Sequence, residues 1–213
     1  MSAVARLNLI FLNATQGVLD RAYIQPSVAA GFWTNGTGHT VRGRGHLYYG
    51  IHNNGTLRAD QPGEFLEATQ GTILNTNVIE STGGIFQANG ETIDQSGGGG
   101  LFANSAGSEV RFIGGSTVIG GTINAASGLS SVAGGTLTLN GVAVNGTFAI
   151  NNSCAVASVN GLTQAGVMTV NTQGGGSTTS LTVAAGTSLG GSGTVVLNAT
   201  QGVLDRAEVY SPT

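Results

Sequence analysis

The residues most able to do chemistry lie between Phe32 and His52. Trp33, His39, Arg42, Arg44, His46, Tyr48, Tyr49 and His52 fall in this stretch. If Thr40 to Tyr49 is a strand, alternation puts Arg42, Arg44, His46 and Tyr48 on one face. Val41, Leu47 and Tyr49 share the other, with Gly43 and Gly45 between. A row of guanidinium, imidazole and phenol groups can hold a glycan or an anionic polymer. The plainer reading is a polar face turned to water over an apolar face turned inward. His39, His46 and His52 lack the tight spacing and the nearby Cys or paired acids of a zinc site.

The carboxylates are sparse, ten in all. Glycoside hydrolysis needs two carboxyls roughly 5–9 Å apart. Asp60 and Glu80 are spaced about as one coil of a repetitive fold would space stacked neighbours, but a solvated surface charge is the simpler role for each. Lysine is absent. That removes a phosphate-gripping P-loop lysine, a Schiff-base lysine and a Ser–Lys pair. Gly186-Thr187-Ser188-Leu189-Gly190 matches G-x-S-x-G, yet a nucleophile elbow needs a following helix and a partner histidine. The nearest histidine in sequence is His52. Thr136-Leu137-Thr138 is a single T-x-T unit, too little for a flat, ice-ordering threonine array. The expectation is a chain that is not an enzyme and uses no cofactor and no metal.

Composition narrows the classes further. With 213 residues, 40% hydrophobic and 8% charged, the chain can bury a core and lacks the charge of a disordered one. Collagen is excluded, because glycine does not recur at every third place and there are three prolines. A net charge of −3 argues against nucleic acid as partner. The lone Cys154 reads as a small buried filler. No apolar run reaches the ~18–20 residues of a membrane span. The six-residue, largely apolar stretch Leu7–Leu12 is short for the core of a secretory leader, and no A-x-A-like site follows it. From Phe112 to Leu204 there is no Asp, Glu, Lys, Arg or His. Residues 1–111 therefore form a charged part and 112–213 an uncharged Gly/Thr/Asn-rich part, expected to be two regions of one rod.

The elements that must position these groups are short strands. Val110–Ile113, Thr136–Leu139, Val142–Val144, Phe148–Ile150, Val167–Val170, Leu181–Val183 and Thr194–Leu197 are β-favouring runs punctuated by Gly and Asn. Leu137 with Leu139, Val142 with Val144, and Phe148 with Ile150 are spaced to share a buried face. No sustained helical stripe appears, so crossover helices are not expected. Aromatics at 6% are few for a sandwich core, and propeller signatures are missing. A parallel β-solenoid in a single elongated domain fits best, with about ten coils of roughly 20 residues.

Asn-Gly-Thr at Asn35 and Asn54, Thr40-Val41-Arg42-Gly43-Arg44-Gly45, and the Gly-Gly-Thr-apolar units at Gly120 and Gly134 carry a further likeness. Their style resembles large secreted bacterial β-helix proteins, namely autotransporter passengers and filamentous-haemagglutinin-like adhesins. That resemblance implies a right-handed parallel β-helix outside the cell or at its surface.

The segment Leu12–Ala22 recurs unchanged as Leu197–Ala207. Solenoid ends expose strand edges that recruit further strands. If both copies occupy equivalent places in their coils, the two ends present similar surfaces. Leu12, Val18, Leu19, Leu197, Val203 and Leu204 are then the candidate self-association residues, and the partner is the chain itself in a head-to-tail filament. Arg42, Arg44, His46 and Tyr48 are the candidate ligand face, with surface glycans as the second partner class.

Overall fold

The structure, a computed structural model, describes residues 8–14, 22–29, 31–173, 175, 177–199 and 204–212. Every regular element among them is a strand. The first coil holds β1 (Leu9–Asn13), β2 (Tyr23–Ile24) and β3 (Phe32–Asn35). Next come β4 (Thr40–Tyr48), β5 (Gly50–Asn53), β6 (Thr56–Ala59), β7 (Phe65–Thr69) and β8 (Thr72–Asn75). These are followed by β9 (Val78–Ser81), β10 (Ile85–Asn89), β11 (Thr92–Asp94), β12 (Gly100–Ala103), β13 (Glu109–Ile113) and β14 (Ser116–Ile119). Three long strands then bend around corners: β15 (Thr122–Gly134), β16 (Thr136–Ile150) and β17 (Ala155–Val170). The last are β18 (Thr178–Val183), β19 (Leu189–Gly190), β20 (Thr194–Leu197) and β21 (Arg206–Tyr210).

The pairings, all parallel, sort these strands into three stacks. The first face runs β1, the start of β4, β6, β9, β12, then parts of β15, β16 and β17, and β19. The second runs β2, the end of β4, β7, β10, β13, later parts of β15 to β17, and β20. The third runs β3, β5, β8, β11, β14, the starts of β16 and β17, β18 and β21. The chain visits the faces in rotation, which makes a three-sided parallel β-solenoid of about eight turns.

The expected ten coils are thus fewer, because coils vary in length. Arg58 stacks on Glu80, 22 residues on. Leu9 has to wait until Thr40 for its neighbour, because the first coil carries long connections. The change from charged to uncharged sequence falls inside β13, after Arg111.

Alternation of side chains builds the core. Val41, Leu57, Ile79, Leu101, Ile123 and Val144 form one inward column up the first face. Ile51, Ile73, Ile93, Val118 and Leu139 do the same on the third. Stacked like side chains bury one another, so each rung's apolar residues are covered by the rungs above and below. The paired residues expected at 137/139, 142/144 and 148/150 all point inward.

One corner is stitched by amides. Asn35 Nδ2 donates to Asn53 Oδ1 (2.7 Å), and Asn53 Nδ2 to Asn75 Oδ1 (2.7 Å). Asn75 Nδ2 donates to Gln95 Oε1 at 3.4 Å, and Gln95 Nε2 reaches Gly120 O at 3.3 Å. Asn35, Asn53 and Asn75 also donate to the carbonyls of Thr56, Val78 and Gly100. This buried ladder adds side-chain hydrogen bonds to the first carbonyls of β6, β9 and β12, where each strand leaves the corner.

Candidate functional site

β4 turns the expected Arg42, Arg44, His46 and Tyr48 outward, but it passes from the first face to the second, so Arg42 lies on one side of the solenoid and His46 and Tyr48 on the next. They alternate with Val41, Gly43, Gly45 and Leu47, which point inward. Gly43 and Gly45 are required there. They have φ of +109° and +149°, and a Cβ would meet Leu12 O at 2.0 Å and Ala22 O at 2.3 Å. The first coil therefore lies directly against β4's backbone. Tyr49 departs from the sequence reading. It does not face inward but forms the turn after β4, with φ of 65°, and its ring approaches Tyr48.

The four side chains do not form a bare cationic strip. The next coil answers each charge. Arg42 Nε lies 2.5 Å from Asp60 Oδ2, and Arg44 Nη1 donates to Glu64 Oε1 at 3.1 Å. His46 Nδ1 stands 3.5 Å from Glu67 Oε2. One coil on, Arg58 Nε donates to Glu80 Oε1 at 2.6 Å, and Asn104 Nδ2 to Glu80 Oε2 at 2.7 Å. Arg111 grips Glu109 with two hydrogen bonds, and Ser131 Oγ donates to the same carboxylate. Such half-exposed pairs fix side-chain geometry and contribute little stability individually.

Aromatic rings complete this surface. His46 stacks on Tyr48 at 5.6 Å, and Tyr23 meets Tyr48 edge-on at 6.1 Å. The Arg42 guanidinium lies 5.7 Å from the Phe11 ring centre, and Arg111 lies 5.2 Å from that of Phe65. The result is two neutralised, aromatic-bearing patches, Arg42 with Phe11 on the first face and His46, Tyr48 and Tyr23 on the second, whose rings can stack on sugar rings but whose net charge does not attract polyanions.

Asp60 and Glu80 are not stacked partners. Arg58 sits over Glu80, and Asp60 lies just past Ala59, which pairs with Ser81. Both carboxylates are tied to arginines from other coils. The three histidines are also separate. His39 contacts Asn35 Oδ1 at the corner (2.6 Å), His46 lies on the second face, and His52 packs against the Phe32 ring on the third. Among the described residues no three His, Cys, Asp or Glu come together as metal ligands. Ser188 lies just before β19, where its carbonyl accepts from Leu162 N, and no helix follows it among the described residues. Thr72, Thr92, Thr117 and Thr138 do stack in one column, but Leu74, Asp94, Ile119 and Asn140 flank it instead of more threonine.

Glu91 escaped the sequence reading. Its side chain is 1% exposed at a corner. Oε2 accepts from Gly71 N at 3.0 Å, while Oε1 has no partner. Burial, only partly offset by that hydrogen bond, pushes its pKa up to about 7. Cys154 is buried, as expected for a filler, and burial pushes its thiol pKa up.

The terminal rungs are the other candidate surface. Leu12 is nearly buried, whereas Leu197 is 52% and Leu204 69% exposed. Val18, Leu19 and Val203 lie outside the described residues. The described residues of the repeated segment do not occupy equivalent places in the two copies. Leu12 is in β1 on the first face, and Leu197 ends β20 on the second. The reason is arithmetic: the copies are 185 residues apart (197 − 12), which is not a whole number of coils. Comparison with protein-family models, with curated proteins and with solved structures gave no match.

Proposed function

We propose that this chain is a self-associating subunit of an extracellular fibre, sheath or surface layer. The observation that carries the reading is the apolar character of both terminal rungs. Leu9, Phe11 and Phe32 are exposed in the first coil, and Val196, Leu197 and Tyr210 in the last. Among the described residues β1 to β3 and β19 to β21 each pair with strands on one side alone. Open edges bearing apolar side chains add strands readily unless blunted. The uncharged span before Leu204 supplies no repulsion against a neighbour. The extracellular setting rests on the resemblance to secreted bacterial β-helix proteins. Electron microscopy with sedimentation over a concentration series tests the proposal. Filaments whose length grows with concentration are expected; short single particles at every concentration would overturn it.

A second reading, a glycan-binding segment of a larger adhesin, is favoured by the aromatic surface around Tyr48. Binding on a glycan array that falls at least tenfold in Tyr23→Ala plus Tyr48→Ala supports this reading. Absence of any glycan binding by the parent chain removes it.

A further inference from the structure

The displacement of the repeated segment by one face fixes how two copies meet. We infer that a second copy of this chain docks end to end with its β1 on β20 rather than on β19, turned by one face of the solenoid. This rests on the self-association proposed above and specifies its register.

The two ends match in more than sequence. Ile10 and Leu12 of β1 point inward, since they pair with Val41 and Gly43. Val195 and Leu197 of β20 point inward as well, pairing with Met168 and Val170. Ile24 of β2 and Val209 of β21 share that orientation, beside the buried Leu47 and Leu181. Setting Leu12 on Leu197 therefore puts Ile10 on Val195, Asn13 on Asn198 and Ile24 on Val209. In-register stacking of like side chains is the most favourable contact between parallel strands of neighbouring chains. It covers Leu197, which is 52% exposed as the rung stands.

The unrotated alternative fares worse. β19 is two residues long, and Thr163 pairs with Gly190. Continuing that register sets Ile10 over Gly191 and Leu12 over Gly193. Two apolar side chains would then meet glycines, and Leu197 would be covered by Ile24 rather than by its own counterpart Leu12. The one-face turn sets no described strand of the second copy directly on β19.

Two double variants distinguish the registers. Adjacent strands lie about 4.8 Å apart, within the Cα range that a disulfide bridges. Asn13→Cys with Asn198→Cys, oxidised by diamide, is expected to give a ladder of covalent multimers on a non-reducing gel, collapsed by reductant. Phe11→Cys with Ser192→Cys, the pair for the unrotated contact, is expected to give none. A ladder from the second pair alone, or equal ladders from both, overturns the one-face turn and leaves self-association standing. No ladder from either pair, with the parent chain monomeric in sedimentation, overturns both. Helical image analysis of parent-chain fibres needs no substitution. The turn per subunit should exceed the accumulated twist of its coils by a third of a revolution, and an excess near zero sinks the inference.

Discussion

At the scale of single residues, the informative ones break the rule of their column. Glu91 is a carboxyl where neighbouring coils have glycine and serine. Its pKa stands near 7 against an ordinary 4.5, so between those values the folded chain keeps a proton that the unfolded chain has released. Stability therefore falls as pH rises from about 4.5 to 7 and levels off above. The loss attributable to this group is about 3 kcal/mol. Urea titrations at stepped pH should show that decline, and Glu91→Gln should flatten it. Gln164 is a second exception. It continues the column that Val144 ends, and neither amide atom has a hydrogen-bond partner. Buried polar groups left unpaired cost about 1–3 kcal/mol. Gln164→Leu should raise the midpoint of urea unfolding by a corresponding amount; a lower midpoint would show that the amide is satisfied in solution.

At the scale of elements, the strands were legible and the corners were not. Alternation over Thr136–Leu139 and Thr194–Leu197 is enough to place a strand and choose its inner face, because the period is local. The ion pairs were hidden, because Arg58 meets Glu80 only once the coil length is known. The ladder was hidden for a subtler reason. Asn54 carries the Asn-Gly-Thr signature, yet its neighbour Asn53 is the buried rung, and a glutamine, Gln95, continues the series. Turn chemistry attracts Asn to both roles, and sequence alone does not separate them. Asn53→Ala should cost about 3 kcal/mol, since it strips a partner from Asn35, Asn75 and the Val78 carbonyl at once. Asn54→Ala, at a more exposed position, should cost well under half of that in the same thermal melts. Gly43→Ala should be worse than either, because backbone rather than a movable side chain occupies the space. Gly63→Ala, with a similar positive φ but open space around it, supplies the comparison.

At the scale of the whole molecule, composition and repetition led to the right class, and the coil count was overestimated because loops lengthen some turns. The repeated segment was visible at once, but its place on two different faces follows only from summing coil lengths of unequal size. The binding role given to Arg42 and Arg44 changes at this scale too. Their charges are paired with Asp60 and Glu64 of the neighbouring coil, so the glycan binding proposed as a second reading rests on the aromatics.

The amide ladder has a mechanical consequence. It runs from Asn35 to Gly120 and then gives way to separate polar contacts such as Asn160 with Asn140. Pulled lengthwise, a chain fastened this way should yield first beyond the last stitched corner, shedding its later coils while the earlier ones hold. Optical-tweezer traces should then show early small rips followed by one larger event, and Asn53→Ala should split that larger event in two.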